Sequence, residues 1–317
     1  MIDADVIIVG GGPAGATCAW KLQRQGIQPL ILDKKSFPHR KICAGWITPC
    51  VFRNLGITKE EYPFGLLTFR RIIFHVSGLT IPIPTRQYSI RRYEFDTWLL
   101  QRAAVPVRNH HVKHIKKDGN RYIIDDMFRC TYLVGAGGTH CPVFRTFFDV
   151  IYPRSRNGLI VTMEEEIKYD NRDTTCRLWF FDRKFPGYSW YVPKADGYLN
   201  IGIGARFAVL KKRGDTIRDY WNDLIEKLIN LSLVEDREWK PRGYNYYLRQ
   251  PVGNGRLDNA FIIGDAAGPA TTDMGEGIGP AVESGIRAAD AIANGGDCSL
   301  RSIRQYSLIS ILFPWLT

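Results

Sequence analysis

The chain has 317 residues, 45% of them hydrophobic, enough to bury a sizeable core and to form about two domains. Its seven cysteines contain no C-x-x-C pair, so neither a zinc nor an iron–sulfur site is indicated, and no apolar run is long enough to span a bilayer. The net charge of +11 favours an anionic partner, but the basic residues are dispersed and no nucleic-acid motif occurs, so nucleic acid is excluded.

The first strand starts almost at Met1, so no signal peptide is expected, and the scattered thiols suit a reducing cytosol. Four apolar residues, Val6, Ile7, Ile8 and Val9, make that strand. Gly10, Gly12 and Gly15 then fall at G-x-G-x-x-G spacing. Residues 14–25 read as a helix stopped by Gly26, and a second apolar strand, 29–32, ends in Asp33. Strand, glycine turn, helix, strand and acid form the dinucleotide-binding fingerprint. Gly10 permits the tight turn, and Gly12 lets backbone approach a pyrophosphate. Gly15 lets the helix pack on the strand, and Pro13 and Ala14 open the helix whose N-terminus faces the phosphates. Asp33 is placed to hold both ribose hydroxyls. It repels a 2′-phosphate, despite Lys34 and Lys35 beside it.

A basic loop follows over residues 34–45, then a short helix over 48–55. Strands at 67–76 and 79–84 flank Ser77-Gly78, a hairpin that begins a second sheet. The segment from Ser89 opens a helix, and a meander covers 105–124. A short strand at 132–134 runs into Gly135-Ala-Gly-Gly138 and can return to the first sheet. From Ile160 the chain reads as aromatic-rich antiparallel strands at 162–167, 175–181, 189–192 and 198–205. An amphipathic helix follows over 215–231, then a buried strand at 260–263. Glycine-rich residues 264–279 lead into a last helix reaching residue 293. The apolar stretch 308–316 packs on the core, touches lipid, or begins a longer helical tail.

The 264–279 segment is the second chemical signal. Asp265, at a strand end and followed by small residues, can bind a polyol hydroxyl. Gly275, Gly277 and Gly279 let backbone lie against a flat ring, and the helix from Ile278 points its N-terminus there. Tyr188, Trp190 and Val192 alternate, so they share one face of a strand. Cys43, flanked by Arg40 and Lys41, is the most reactive-looking thiol near the glycine loops. His110, His111 and His114 lack a carboxylate partner in sequence and read as solvated or packed, so no metal site is assigned. Glu164-Glu-Glu166 reads as a strand edge with alternating faces.

These segments resemble the geranylgeranyl reductase family, within the wider FAD-dependent group of aromatic hydroxylases and flavin halogenases. The resemblance spans almost the whole chain. It is carried by the Gly10-to-Gly15 turn with Asp33, by Lys41-Ile-Cys43-Ala44-Gly45, which is similar to a C-G-G loop, and by Arg92-Tyr-Glu-Phe-Asp96, similar to R-x-x-F-D. It is also carried by Gly264-Asp265 with Gly275-Glu-Gly277-Ile278, and by Tyr188-Ser-Trp190-Tyr-Val192-Pro193, similar to Y-x-W-x-F-P. Val192 stands where the family usually has Phe. Gly137, after Ala136, stands where the wider group often has Asp.

The resemblance implies an α/β fold: a Rossmann-like FAD-binding domain with a second α+β domain built on an antiparallel sheet. The FAD-binding domain is discontinuous, over 1–66, 85–150 and 248–300. The substrate-binding domain takes 67–84 and 151–247, and 301–317 form a C-terminal segment. Cofactor contacts are expected from the glycines and acids above and from Lys34, Lys41, Cys43, Ala44, Gly45, Arg92, Ala136 and Gly137. Cys43, Tyr188 and Trp190 are the candidate catalytic residues, with the proton donor open between Cys43, Tyr188 and an ordered water.

The implied reaction is reduction of carbon–carbon double bonds in an apolar, isoprenoid-like substrate by hydride transfer from flavin N5. NAD(P)H or a small redox protein would supply electrons. The protein would be cytoplasmic, with peripheral membrane contact as an alternative. Two rival readings are an FAD-dependent monooxygenase or halogenase, and a non-catalytic flavin electron carrier.

Overall fold

The computed structural model describes residues 1–170 and 173–313. Strand β1 (Ile2–Val9) passes through the glycine turn into helix α1 (Pro13–Arg24), and β2 (Leu30–Asp33) follows. A two-residue strand β3 (Trp46–Ile47) precedes α2 (Pro49–Asn54), which has Pro at its first position, where no N–H is needed. The hairpin of β4 (Leu67–Val76) and β5 (Leu79–Ser89) turns at Ser77 and Gly78. Helix α3 (Arg92–Ala103) is followed by β6 (Val107–Asn109), β7 (Ile115–Asp118), β8 (Arg121–Ile124) and β9 (Phe128–Gly135). The second half holds β10 (Leu159–Lys168), β11 (Cys176–Phe180), β12 (Gly187–Lys194) and β13 (Tyr198–Arg206). Then come α4 (Phe207–Arg213), α5 (Ile217–Asn230), β14 (Arg242–Tyr247), β15 (Arg256–Leu257) and β16 (Ala260–Ile262). Helices α6 (Ile278–Asn294) and α7 (Leu308–Leu312) complete the described chain.

The first sheet runs β15-β16-β9-β1-β2-β6, with the β7–β8 hairpin added beside β9. From β16 to β6 every neighbour is parallel. β1 is central, so Val6, Ile7, Ile8 and Val9 are all buried, which is why they read as an unbroken apolar run rather than an alternation. Helix α1 packs between α3 and α6. A methyl group on Gly285 of α6 would overlap the Ala14 carbonyl oxygen, so this glycine sets how closely α6 approaches α1.

The second sheet runs β14-β10-β13-β12-β11-β4-β5-β3. It departs from the expected antiparallel sheet at one junction, where β11 pairs parallel with β4. That pairing joins the early hairpin to the later strands and makes one eight-stranded surface. Helix α5 covers part of it, burying Trp221, Leu224, Ile225 and Leu228 behind a Thr216–Asp219 capping box. The expected segment boundaries shift too. Residues 46–47 and 85–89 lie in the second sheet, although the sequence assigned them to the first domain. Helix α3 consequently starts at Arg92, because Ser89 is still paired with Trp46. Strand β14 and helix α4 had no counterpart in the sequence reading. The end of the apolar C-terminal stretch, residues 314–317, lies outside the described residues. Among the described residues, no helix is long and apolar enough to cross a membrane.

Gly285→Ala is expected to cost about 1–3 kcal/mol, because the added methyl must push α6 off the α1 backbone. Urea denaturation of the purified variant checks this.

Candidate active site

The two glycine turns meet. Gly10 adopts φ +113°, and a side chain there would overlap the Ala136 carbonyl that follows β9. A methyl on Gly15 would overlap the Gly10 carbonyl, so this glycine serves packing of helix on strand. A methyl on Gly264 would touch Ala14 Cβ at 2.8 Å, which brings the second turn against the start of α1. Gly12 and Asp265, expected at opposite ends of one nucleotide, line the same cavity of about 1040 Å³. Every candidate residue named from the sequence lines that cavity except Gly15, Gly45 and Gly279. Gly45 is buried behind the wall, where a side chain would overlap the Ile90 carbonyl.

The wall fits FAD on its own geometry. A methyl on Gly12 would meet no protein atom and would project into open space, as a pyrophosphate cradle requires. Helices α1 and α6 both begin at the cavity, at Gly12 and Gly277, without a capping side chain and without an acid in the first turn. Each therefore presents a positive helix end to the cavity. Asp33 Oδ2 accepts from Gly11 N at 2.6 Å and Oδ1 from Lys35 N at 2.8 Å, so the ribose-holding acid also braces the turn. Lys34 lines the wall nearby, and Lys41 lies 3.9 Å above the Tyr244 ring. Arg92 is buried and forked onto Asp96 at 2.6 and 2.7 Å, so its charge is held in place beside the Cys43 sulfur.

Sequence reasoning missed four contributors. Arg154 donates to the carbonyls of Thr139, Asp265 and Ala266, the last at 2.7 Å, and so clamps the loop after β9 to the loop after β16. No motif marks it. Tyr244 and Tyr246 of β14 also line the cavity, and their alternation in Tyr244-Asn-Tyr246 was the available signal. Glu164 was read as a strand-edge residue. Instead β10 lies between β13 and β14, and Glu164 is 5% exposed.

The catalytic candidates divide by their hydrogen bonds. Tyr188 donates its hydroxyl to Met274 O at 2.6 Å, and Trp190 donates its indole N–H to Asn200 Oδ1 at 2.7 Å. Both rings line the cavity while their polar ends are engaged with protein. Burial holds the Tyr188 phenol protonated, well above its ordinary range. Cys43 Sγ accepts from Gly45 N at 3.4 Å. Two carboxyls on the wall keep protons to unusual pH. Burial raises Glu164 to about 8, against the field of Lys194. Burial also raises Glu276 to about 7, while Ser307 Oγ donates to it at 3.0 Å. The Ser307 contact belongs to a seam in which Asp273 accepts from Ser307 N and Leu308 N at 2.9 and 2.8 Å, fastening α7 over the ring loop.

The histidines differ from expectation in one respect. His110 Nε2 lies 2.7 Å from Asp125 Oδ2, a carboxylate partner remote in sequence. His114 N and Lys113 N bond the same carboxylate. Among the described residues no group of three or more His, Cys, Asp or Glu side chains could hold a metal ion.

Two outcomes follow. Arg154→Ala is expected to raise the FAD dissociation constant by at least about tenfold, since charged hydrogen bonds contribute about 1.5–3 kcal/mol; fluorescence titration of the apoprotein reads it. For Glu164, a pKa raised from 4.5 to about 8 means the native state holds more protons than the unfolded chain between those values. Stability therefore falls as pH rises through that window. The melting temperature of Glu164→Gln should gain on wild type as pH climbs from 5 to 8 and level off above it.

Comparison with known proteins agrees with this geometry. The FAD binding domain family matches residues 3–63. An uncharacterized protein of Methanosarcina barkeri is 34% identical, the match covering 92% of this chain and 74% of the relative. A digeranylgeranylglycerophospholipid reductase of Methanosphaera stadtmanae is 27% identical over 96% of this chain and 82% of its own. A geranylgeranyl bacteriochlorophyll reductase-like protein of Thermoplasma acidophilum shares the fold, with a TM-score of 0.79 at 20% identity, over 93% of this chain and 79% of that one. With the two glycine turns meeting on one cavity, these relationships make the chain a member of the geranylgeranyl reductase family of FAD-dependent oxidoreductases.

Proposed function

We propose that the protein saturates carbon–carbon double bonds of an apolar, isoprenoid-like substrate. The supporting observation is the wall of Leu178, Phe180, Tyr188, Trp190 and Val192, which faces the same cavity as both glycine turns. The printed name of the Methanosphaera relative, a reductase of a geranylgeranyl lipid, points the same way. FAD, when bound, supplies hydride chemistry to this cavity. The residues Gly10, Gly12 and Asp33 would hold its adenosine and pyrophosphate end. Arg92, Asp265, Gly275 and Gly277 would hold the remainder.

The chain must then exclude water, align the alkene and deliver a proton to the carbon that does not receive hydride. The aromatic wall does the first two. Its polar ends are tied back, so the exposed surface is ring and methyl. That same tying commits the Tyr188 proton to Met274. Of the other protonated groups on the wall, which include the Glu276 carboxyl and the Tyr246 hydroxyl, the proposed donors are the Cys43 thiol and the neutral Glu164 carboxyl. Either is left anionic after giving its proton. Arg92 stands beside the Cys43 sulfur, and Lys194 and Arg92 lie in the field of Glu164, so both anions have cations near. Electrons would come from NAD(P)H or a small redox protein in a transient encounter, since the sequence carries a single dinucleotide fingerprint.

The test is anaerobic. Holoenzyme reduced in the absence of oxygen is mixed with geranylgeranyl alcohol and geranylgeranyl lipids. Return of the oxidised flavin spectrum, with product gaining one hydrogen molecule per double bond, is expected. Silence with every prenyl alkene defeats the proposal, and an oxygen-dependent hydroxylated product favours the monooxygenase reading. Substituting the true proton donor, by Cys43→Ser or Glu164→Gln, should slow reoxidation by at least about a hundredfold.

A further inference from the structure

We propose that the rim of the cavity at the β4–β5 turn is a docking surface for an anionic lipid bilayer, so that the mouth opens onto the membrane. The proposal rests on the reading that the cavity takes an apolar prenyl chain, and it assigns the source from which that chain is drawn.

The argument starts in the strand register. Phe74 pairs with Ile81 and Val76 with Leu79, so these residues share one face of the second sheet. Phe180 pairs with Val76 on the other side. Ring contacts continue inward from Phe180 to Tyr188 at 5.3 Å and from Tyr188 to Trp190 at 5.7 Å. They continue outward from Phe180 to Phe181 at 6.4 Å. The apolar face that walls the cavity therefore does not stop at its mouth. It runs into solvent as Leu79, Phe181 and Ile81, which are 66%, 64% and 41% exposed. Phe181 also lines the cavity, so it marks the mouth itself. Its φ of +56° is unfavourable for an aromatic residue, and such conformations collect at functional sites. Single exposed apolar residues mean little, but a row continuous with a binding cavity marks an interaction surface.

Charge decides the occupant. Lys184, Arg206 and Arg213 line the same mouth, are exposed, and have no carboxylate ion-pair partner among the described residues. Arg213 spends one N–H on the Lys184 carbonyl. The neighbouring cations are matched instead: Arg183 pairs with Asp223 and Glu226, and Lys227 with Asp182. Unpaired cations beside exposed apolar side chains suit an anionic leaflet, where acyl chains take the apolar row and headgroups take the charges. A second copy seated face to face would oppose like charges.

The experiment is co-sedimentation of the FAD-loaded full chain with phosphatidylcholine vesicles, with and without phosphatidylglycerol. Partition onto the anionic vesicles alone is expected. Leu79→Ser with Ile81→Ser, and separately Lys184→Glu with Arg213→Glu, should each lower it at least about tenfold. Retained flavin absorbance in each variant shows that it is folded. The proposal is overturned if wild type stays in the supernatant, if it binds both vesicle types equally, or if binding survives the Leu79 and Ile81 changes. A concentration-dependent dimer in gel filtration that those two changes disperse overturns it as well. Binding is read without turnover, so failure of the reductase reading and failure of this one give different results.

Discussion

The structure depends on backbone passing backbone at distances that forbid side chains. Gly10 against Ala136, Gly15 against Gly10 and Gly264 against Ala14 are three such approaches within one small region. The first and third join segments far apart along the chain, and the second closes the first turn on itself. Together they place the start of α1 and the loop before α6 on one cavity, which is the condition for gripping a dinucleotide from both ends. Arg154 supplies what glycine cannot. Its guanidinium bonds carbonyls on the loop after β9 and the loop after β16, so the approach is held as well as permitted.

The second sheet contributes a surface rather than a grip. Tyr188 and Trp190 reach the cavity with their hydrogen-bonding atoms already satisfied, Tyr188 on Met274 and Trp190 on Asn200. What remains polar in the wall is a small set of groups whose charge is governed by burial and by near neighbours. Glu166 is paired to Lys194 at 2.7 Å and to Arg91 at 3.1 Å, while Glu164, two residues away on the same strand, has no such pair among the described residues and stays protonated. Two carboxyls of one strand thus hold different protonation states for reasons visible in their surroundings.

Much of this was legible in the sequence. The Gly10 turn, Asp33 and Gly264-Asp265 are short-range patterns, and each lies where a local rule places it. Tyr188, Trp190 and Val192 share a face, as alternation requires. The residues that escaped notice are those whose role is fixed by partners remote in sequence. Arg154 is an unremarkable arginine until residues 139 and 265 are folded beside it. Glu164 looks like a solvated acid because nothing local says that β14 will cover the far side of β10. The parallel pairing of β11 with β4 was invisible for the same reason, since a register between residues 72–76 and 176–180 leaves no trace in either segment.

The Arg154 clamp has a consequence for synthesis. Its three carbonyl partners come from residues 139, 265 and 266, and the wall it stabilises includes the first glycine turn at Gly10 and Gly12. A nascent chain emerging from the ribosome carries the first glycine turn long before the second exists. The pocket can close only after residue 266 has been made, so cofactor capture waits on long-range contacts. Until then the apolar wall of the second sheet has no nucleotide domain completed beneath it. The interval between those two moments is when the chain is most exposed to misassociation.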